Sequence, residues 1–115
     1  AYREAGADMV FPEGLRSEEE FSEFATQCPG LLLANMTEFG KTPHVSANQF
    51  ESLGYNIVIY PVTMQRVAMG AITTCLSELH TTGSAQGFEN KMQTRQELYD
   101  LLGYVPGEPW QYTNT

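Results

Sequence analysis

The chain has 115 residues, a length that suits one domain, and its 42% hydrophobic and 17% charged residues are those of a folded protein. Fourteen acidic residues against six basic ones give a formal charge of −8, and Arg3, Arg16, Lys41, Arg66, Lys91 and Arg95 do not cluster, which argues against nucleic acid and anionic membranes as partners. No apolar stretch approaches the ~20 residues of a membrane helix.

Residues 1–6 read as the end of a helix stopped by Gly6, and there is no initiator Met. The chain is therefore expected to be part of a longer protein, cut by engineering, by a protease or in a partial gene. No targeting signal is visible, although a missing N-terminus would hide one.

Three short apolar runs follow, at residues 8–12, 31–37 and 56–61. Their near-continuous apolar character predicts strands buried on both faces, as in a parallel sheet. Helical patterns with start signals lie between them. Ser17 with Glu20, and Ser46 with Gln49, form capping boxes, and the acidic run at 18–20 also suits the positive end of a helix dipole. Cys28-Pro29-Gly30 ends the first helix and Gly54 the second. Strand starts are separated by roughly 23–25 residues, the spacing of tight βα units, and right-handed crossovers lay such strands side by side.

After the third strand Met64, Val67, Ala68, Ala71, Ile72, Cys75, Leu76 and Leu79 mark one apolar stripe at helical spacing. Residues 83–87 form a small-residue break. Thr94 with Glu97 is a third capping box, opening a short helix through Leu102. The division expected is 1–104 for the α/β part with its last helices and 105–115 for an irregular tail rich in Pro and Gly. Three βα units do not close a barrel of eight. The fold class is therefore read as α/β, the C-terminal portion of a (β/α)8 TIM-type barrel: three parallel βα units plus C-terminal helices. Five units, or another chain, would complete it.

Cys28 and Cys75 show no metal-like spacing and are read as reduced thiols, the usual state in a cytoplasmic or matrix compartment. His44 and His80 are isolated, and no metal site is assigned.

In parallel barrels chemistry sits where strands end and loops begin. Glu13 closes the first strand, and serves either a half-buried site or the cap of the next helix. Asn35 and Thr37 alternate on an extended segment, so both face one side, where an amide and a hydroxyl would donate to a carboxylate; local turn capping is the alternative. Arg66 and Arg95 each open a helix, a poor place for a cation by the dipole argument. That cost hints at a ligand, against the plainer reading of an ordinary exposed Arg. Such a set suits a small di- or tricarboxylate, and Glu13, Asn35, Thr37 and Arg66 are expected to face one cavity.

Four blocks add a family resemblance. They are Ala7-Asp8-Met9-Val10-Phe11-Pro12-Glu13; Leu33-Ala34-Asn35-Met36-Thr37-Glu38-Phe39-Gly40-Lys41-Thr42-Pro43; Ile59-Tyr60-Pro61-Val62-Thr63 with Arg66; and Met92-Gln93-Thr94-Arg95-Gln96-Glu97-Leu98-Tyr99. In order and spacing, as far as about Tyr104, they resemble the 2-methylisocitrate lyases of the isocitrate lyase and phosphoenolpyruvate mutase superfamily. The Asn-Met-Thr-Glu-Phe-Gly and Met-Gln-Thr-Arg blocks are the specific ones. The tail after Tyr104 departs from the pattern.

The resemblance implies a Mg2+-dependent retro-aldol cleavage of 2-methylisocitrate to pyruvate and succinate, within propionate catabolism. Carried over by position, Glu13, Asn35, Met36, Thr37, Arg66 and Arg95 are the substrate-binding set. Glu13 would lie near the metal-bound end, and Asn35 and Thr37 would hold the succinate-side carboxylate, with Met36 contributing through its backbone. Arg66 and Arg95 would neutralise substrate charge. The family's metal-binding carboxylates and its Lys-Arg-Cys-Gly-His loop have no counterpart here, and Cys28 and Cys75 do not match the catalytic cysteine. The segment is thus expected to carry no catalytic acid and no Mg2+ ligands, and to be inactive alone. The resemblance further implies a homo-oligomer, a tetramer in the family, with the helix after the last strand packed on a neighbour. A helix packed on its own barrel would show the same stripe. The compartment implied is cytoplasmic, or else the mitochondrial matrix.

Two other readings stand beside this one. One is another superfamily member acting on a related 2-hydroxy or oxo acid or a phosphonate. The other is a truncated, non-catalytic assembly module.

Overall fold

The computed structural model describes residues 1–109. It divides into two compact units, Ala1–Gly70 and a second beginning at Ala71.

The first unit holds β1 (Met9–Val10), α1 (Glu18–Gln27), β2 (Leu31–Asn35), α2 (Ala47–Ser52), β3 (Ile57–Ile59) and the start of α3 (Thr63–Thr82). The strands pair in parallel in the order β1-β2-β3, Met9 opposite Leu31 and Leu33 opposite Ile57. This is the α/β order and parallel pairing expected. Asn56 secures the entry to β3 by pairing with both backbone groups of Leu32: its Oδ1 accepts from Leu32 N–H and its own N–H donates to Leu32 O, each at 2.9 Å.

The caps form much as the sequence requires. Ser46 and Gln49 satisfy each other reciprocally at the start of α2. At α1 the Glu20 N–H donates to Ser17 Oγ, but the Glu20 carboxylate takes the N–H of Arg16, one residue before the cap. Gly30, at φ +116°, turns the chain into β2; a Cβ there would lie 2.8 Å from the Arg3 guanidinium carbon. Arg3 in turn donates to Asp8 O and Leu31 O, tying the residues before β1 to the start of β2.

The core lies on one face of the sheet. Leu32, Ala34 and Met36 alternate inward at 1%, 0% and 3% exposure, against Phe21 of α1, Phe50 of α2, Val45 and Tyr55. Phe21, Phe50 and Tyr55 pack edge to face with centroids 4.9–5.5 Å apart. Burial on both faces was expected and is not found: Leu31, Ile57 and Ile59 are 48%, 43% and 38% exposed. Both helices between strands lie on one side, and within this unit no layer covers the other.

In the second unit α3 continues from Ala71, followed by a 3-10 helix (Gln86–Lys91) and α4 (Arg95–Leu102). The 3-10 helix occupies part of what reads in sequence as a break, with Phe88 buried beneath Lys91. Thr94 and Glu97 form the expected capping box, and Gly103 ends α4 in the left-handed region. No residue of α3 is buried, and its stripe is open at Met64, Val67, Ile72 and Leu76. Cys28 and Cys75 are free thiols. No described helix is long and apolar enough to cross a membrane. Residues 105–109 are turn and irregular backbone, and the rest of the tail, 110–115, lies outside the described residues.

Candidate functional site

A cavity of about 260 Å³ opens at the C-terminal ends of β1 and β2, with Phe11, Pro12, Glu13, Asn35, Thr37 and Lys41 among its lining. The alternation of β2 places Asn35 there. With Leu32, Ala34 and Met36 turned into the core, Leu33, Asn35 and Thr37 take the opposite side. The height of Asn35 is set by its register with Ile59 and by the Met36 N–H, which donates to Ile59 O at 2.8 Å.

Thr37 Oγ1 donates to Asn35 Oδ1 at 2.9 Å. The Asn35 oxygen is therefore occupied and its amide presents two N–H donors, whereas the Thr37 hydroxyl proton is committed. Both groups were expected to donate to a ligand; in this arrangement the amide keeps its N–H groups to offer, while the hydroxyl proton goes to Asn35. Met36 contributes no free N–H either. Its side chain is buried, with Val45 N–H directed at its sulfur over 3.3 Å.

Thr42 Oγ1 donates to Leu15 O at 2.7 Å, joining the loop after β2 to the loop after β1 and so tying the two walls of the cavity. Between those walls Glu13 and Lys41 bring opposite charges to one space. Lys41 was missed in the sequence, where it reads as one of six scattered cations. The signal was its place six residues after Asn35, in the same block.

Arg66 is not among the residues lining this cavity. It sits in the first turn of α3 beside a second hollow of about 310 Å³, with Glu38, Phe39, Thr63 and Val67. Its Nη1 donates to Glu38 O at 2.6 Å and reaches Glu38 Oε2 at 3.3 Å. Thr63 Oγ1 donates to the other oxygen, Glu38 Oε1. The Thr63 hydroxyl, the Glu38 backbone and the Arg66 charge together hold the Glu38 carboxyl below the usual carboxylate range. This pairing offsets the dipole cost of a cation at a helix start. Three of the four residues expected in one cavity share it, and the fourth lies at a neighbouring hollow because Glu38 holds it there. Arg95 is exposed at the first position of α4, in the second unit, behind the Thr94 cap. Among the described residues no group of three or more His, Cys, Asp or Glu side chains is placed to hold a metal ion.

The pattern of the phosphoenolpyruvate phosphomutase family matches residues 1–80. The chain belongs to that family. Similar members of known name include the 2-methylisocitrate lyase of Aeropyrum pernix, 52% identical over 103 residues, and that of Bacillus subtilis, 51% identical over 108. These alignments cover 90% and 94% of this chain but 33% and 36% of the relatives, so the chain spans about a third of the length of the curated family members it matches. The 2,3-dimethylmalate lyase of Eubacterium barkeri is 41% identical over 103 residues. Among solved structures a 2,3-dimethylmalate lyase superposes with a TM-score of 0.77 at 34% identity, over 88% of this chain and 33% of that one. An oxaloacetate acetylhydrolase bound to oxalate gives 0.77 at 28%, over 86% and 34%. The family resemblance read from the four sequence blocks is thereby established.

Proposed function

We propose that this chain forms the carboxylate-holding side of the active site of a carbon–carbon lyase, one that cleaves 2-methylisocitrate to pyruvate and succinate. The observation that carries the reading is the Asn35-Met36-Thr37 strand end. It sets two amide donors in a cavity that Lys41 and Glu13 also line, within a chain half identical to lyases of that name. On this reading the Asn35 amide and the Lys41 ammonium bind the carboxylate that leaves with succinate. Thr37 fixes the amide's orientation, Met36 fixes its height, and Glu13 faces the hydroxy-acid end. Arg66 and Arg95 balance the charge of a tricarboxylate.

The same reading makes the three βα units the C-terminal third of a (β/α)8 barrel, with residues 1–104 as that part and 105–115 as a tail. The open face of the sheet is what such a barrel would cover. The divalent metal of the reaction, Mg2+ by the resemblance, and the group that protonates succinate are then held by residues outside this chain. The exposed stripe of α3 supports packing on another copy, as in a homo-oligomer, or on the rest of the barrel. The compartment that fits is cytoplasmic.

The test is a graft. This chain replaces the matching third of the Bacillus subtilis relative, and cleavage of 2-methylisocitrate is followed by pyruvate release. Retained turnover is expected. A folded graft that cleaves 2,3-dimethylmalate instead establishes the second reading, a lyase for a related 2-hydroxy acid, which the likeness to that lyase favours. A folded graft active on neither removes the proposal.

A further inference from the structure

We infer that Glu38 is a positioning residue: it holds one edge of the Arg66 guanidinium so that the other edge is set to receive a substrate carboxylate. The inference rests on the substrate role proposed above for Arg66.

Three observations carry it. First, both contacts from Glu38 fall on the same nitrogen: Nη1 meets the backbone oxygen at 2.6 Å and the carboxylate at 3.3 Å. Among the described residues Nε and Nη2 have no partner, and these two form the side edge of a planar fork that matches a carboxylate. Second, Glu38 is itself fixed. Thr63, three residues before Arg66 on the same helix face, donates to its second oxygen, so one helix turn grips the carboxylate from both sides. Third, Phe39 adopts φ 63°, the only non-glycine positive φ among the described residues, and is 93% exposed. A strained backbone that gains no burial calls for another cause. Its ring lies 5.5 Å from the Arg66 guanidinium carbon, a cation–π contact on the guanidinium Glu38 holds.

A simpler role for Glu38 is to neutralise an exposed arginine, and the two roles predict opposite signs. If Glu38 only neutralises, Glu38→Gln leaves a more positive site that binds anions more tightly. If it positions, the same change frees the fork and weakens binding.

The test titrates the full 115-residue chain with succinate, following backbone amides and the Arg66 Nε–H by NMR, with each variant's amide spectrum checked for folding. Succinate is expected to shift the Arg66 Nε–H in the parent chain. Glu38→Gln is expected to weaken binding roughly tenfold, the scale of one charge-assisted hydrogen bond. Thr63→Val, which keeps the charge and loosens the carboxylate, is expected to act in the same direction by roughly threefold, and it carries the test if Glu38→Gln does not fold. In an Arg66→Lys background Glu38→Gln is expected to add nothing, because the partner it positions is gone. If Arg66→Lys weakens binding while Glu38→Gln leaves it unchanged or tighter, the positioning role is overturned and the lyase reading survives. If succinate does not bind, or Arg66→Lys leaves binding unchanged, the substrate role of Arg66 falls and the positioning role with it.

Discussion

The Thr37 hydroxyl lies 2.9 Å from the Asn35 amide oxygen, and this one bond decides which atoms the end of β2 offers to a ligand. Asn35→Asp keeps the shape but exchanges two donors for an anion in a cavity that Glu13 also lines. Succinate affinity is expected to fall by roughly tenfold or more, the loss of a bond to a charged ligand with repulsion added. Thr37→Val leaves the amide free to rotate and is expected to cost less, roughly threefold. Titration with succinate reads both, and unchanged affinity in Asn35→Asp would exclude Asn35 from the site.

The aromatic trio should dominate the stability of the first unit. Phe50 is fully buried and touches both Phe21 and Tyr55 edge to face. Phe50→Ala is expected to destabilise the chain by about 3–5 kcal/mol, by lost transfer energy and the cavity left behind. Urea unfolding followed by circular dichroism checks this, and a change under ~1 kcal/mol would mean that the site collapses around the smaller side chain.

Gly30 combines a positive φ with the approach of the Arg3 guanidinium. Gly30→Ala meets both obstacles and is expected to cost about 1–3 kcal/mol. Arg3→Ala removes the collision but also the bonds to Asp8 O and Leu31 O. The double variant should therefore recover only part of the loss, leaving the φ penalty visible in its unfolding midpoint.

Stability should decline on both sides of neutrality. Glu38 and Glu97 have carboxyls lowered from 4.5, foremost by the hydroxyls of Thr63 and Thr94. Below that value the unfolded chain binds protons that the folded chain does not, so their contribution is complete above it and fades as pH falls through the lowered values. Thr63→Val and Thr94→Val should each flatten this acid limb. On the alkaline side burial pushes the Tyr55 phenol from 10.0 up to about 12. The folded state then keeps a proton that the unfolded state releases, and stability falls as pH rises from 10 toward 12. Urea midpoints across pH test both limbs.

The 115-residue chain by itself is expected to release no pyruvate from 2-methylisocitrate and to bind Mg2+ no more tightly than a surface carboxylate does. Isothermal titration with MgCl2 and a coupled pyruvate assay on material free of host enzyme check this. Turnover above background would place the chemistry within this chain.

Much of this molecule is legible in its residues alone. The apolar runs, the capping boxes at Ser46 and Thr94 and the glycine stops locate strands and helices because each depends on neighbours in sequence. The two-residue alternation is enough to put Asn35 and Thr37 on one side of β2, and the motif blocks are enough for the family. What the residues could not determine is whatever depends on a partner distant along the chain. The open face of the sheet is one case: near-continuous apolar runs record that both faces suit burial, not which face this chain covers. Lys41 is another, since only the loop tied down by the Thr42–Leu15 bond brings it to the cavity that Glu13 also lines. Arg66 is the clearest. Its place at a helix start signalled a cost, but only the fold sets Glu38, twenty-eight residues earlier, against the same guanidinium, and the short reach of hydrogen bonds then decides which edge of it stays free.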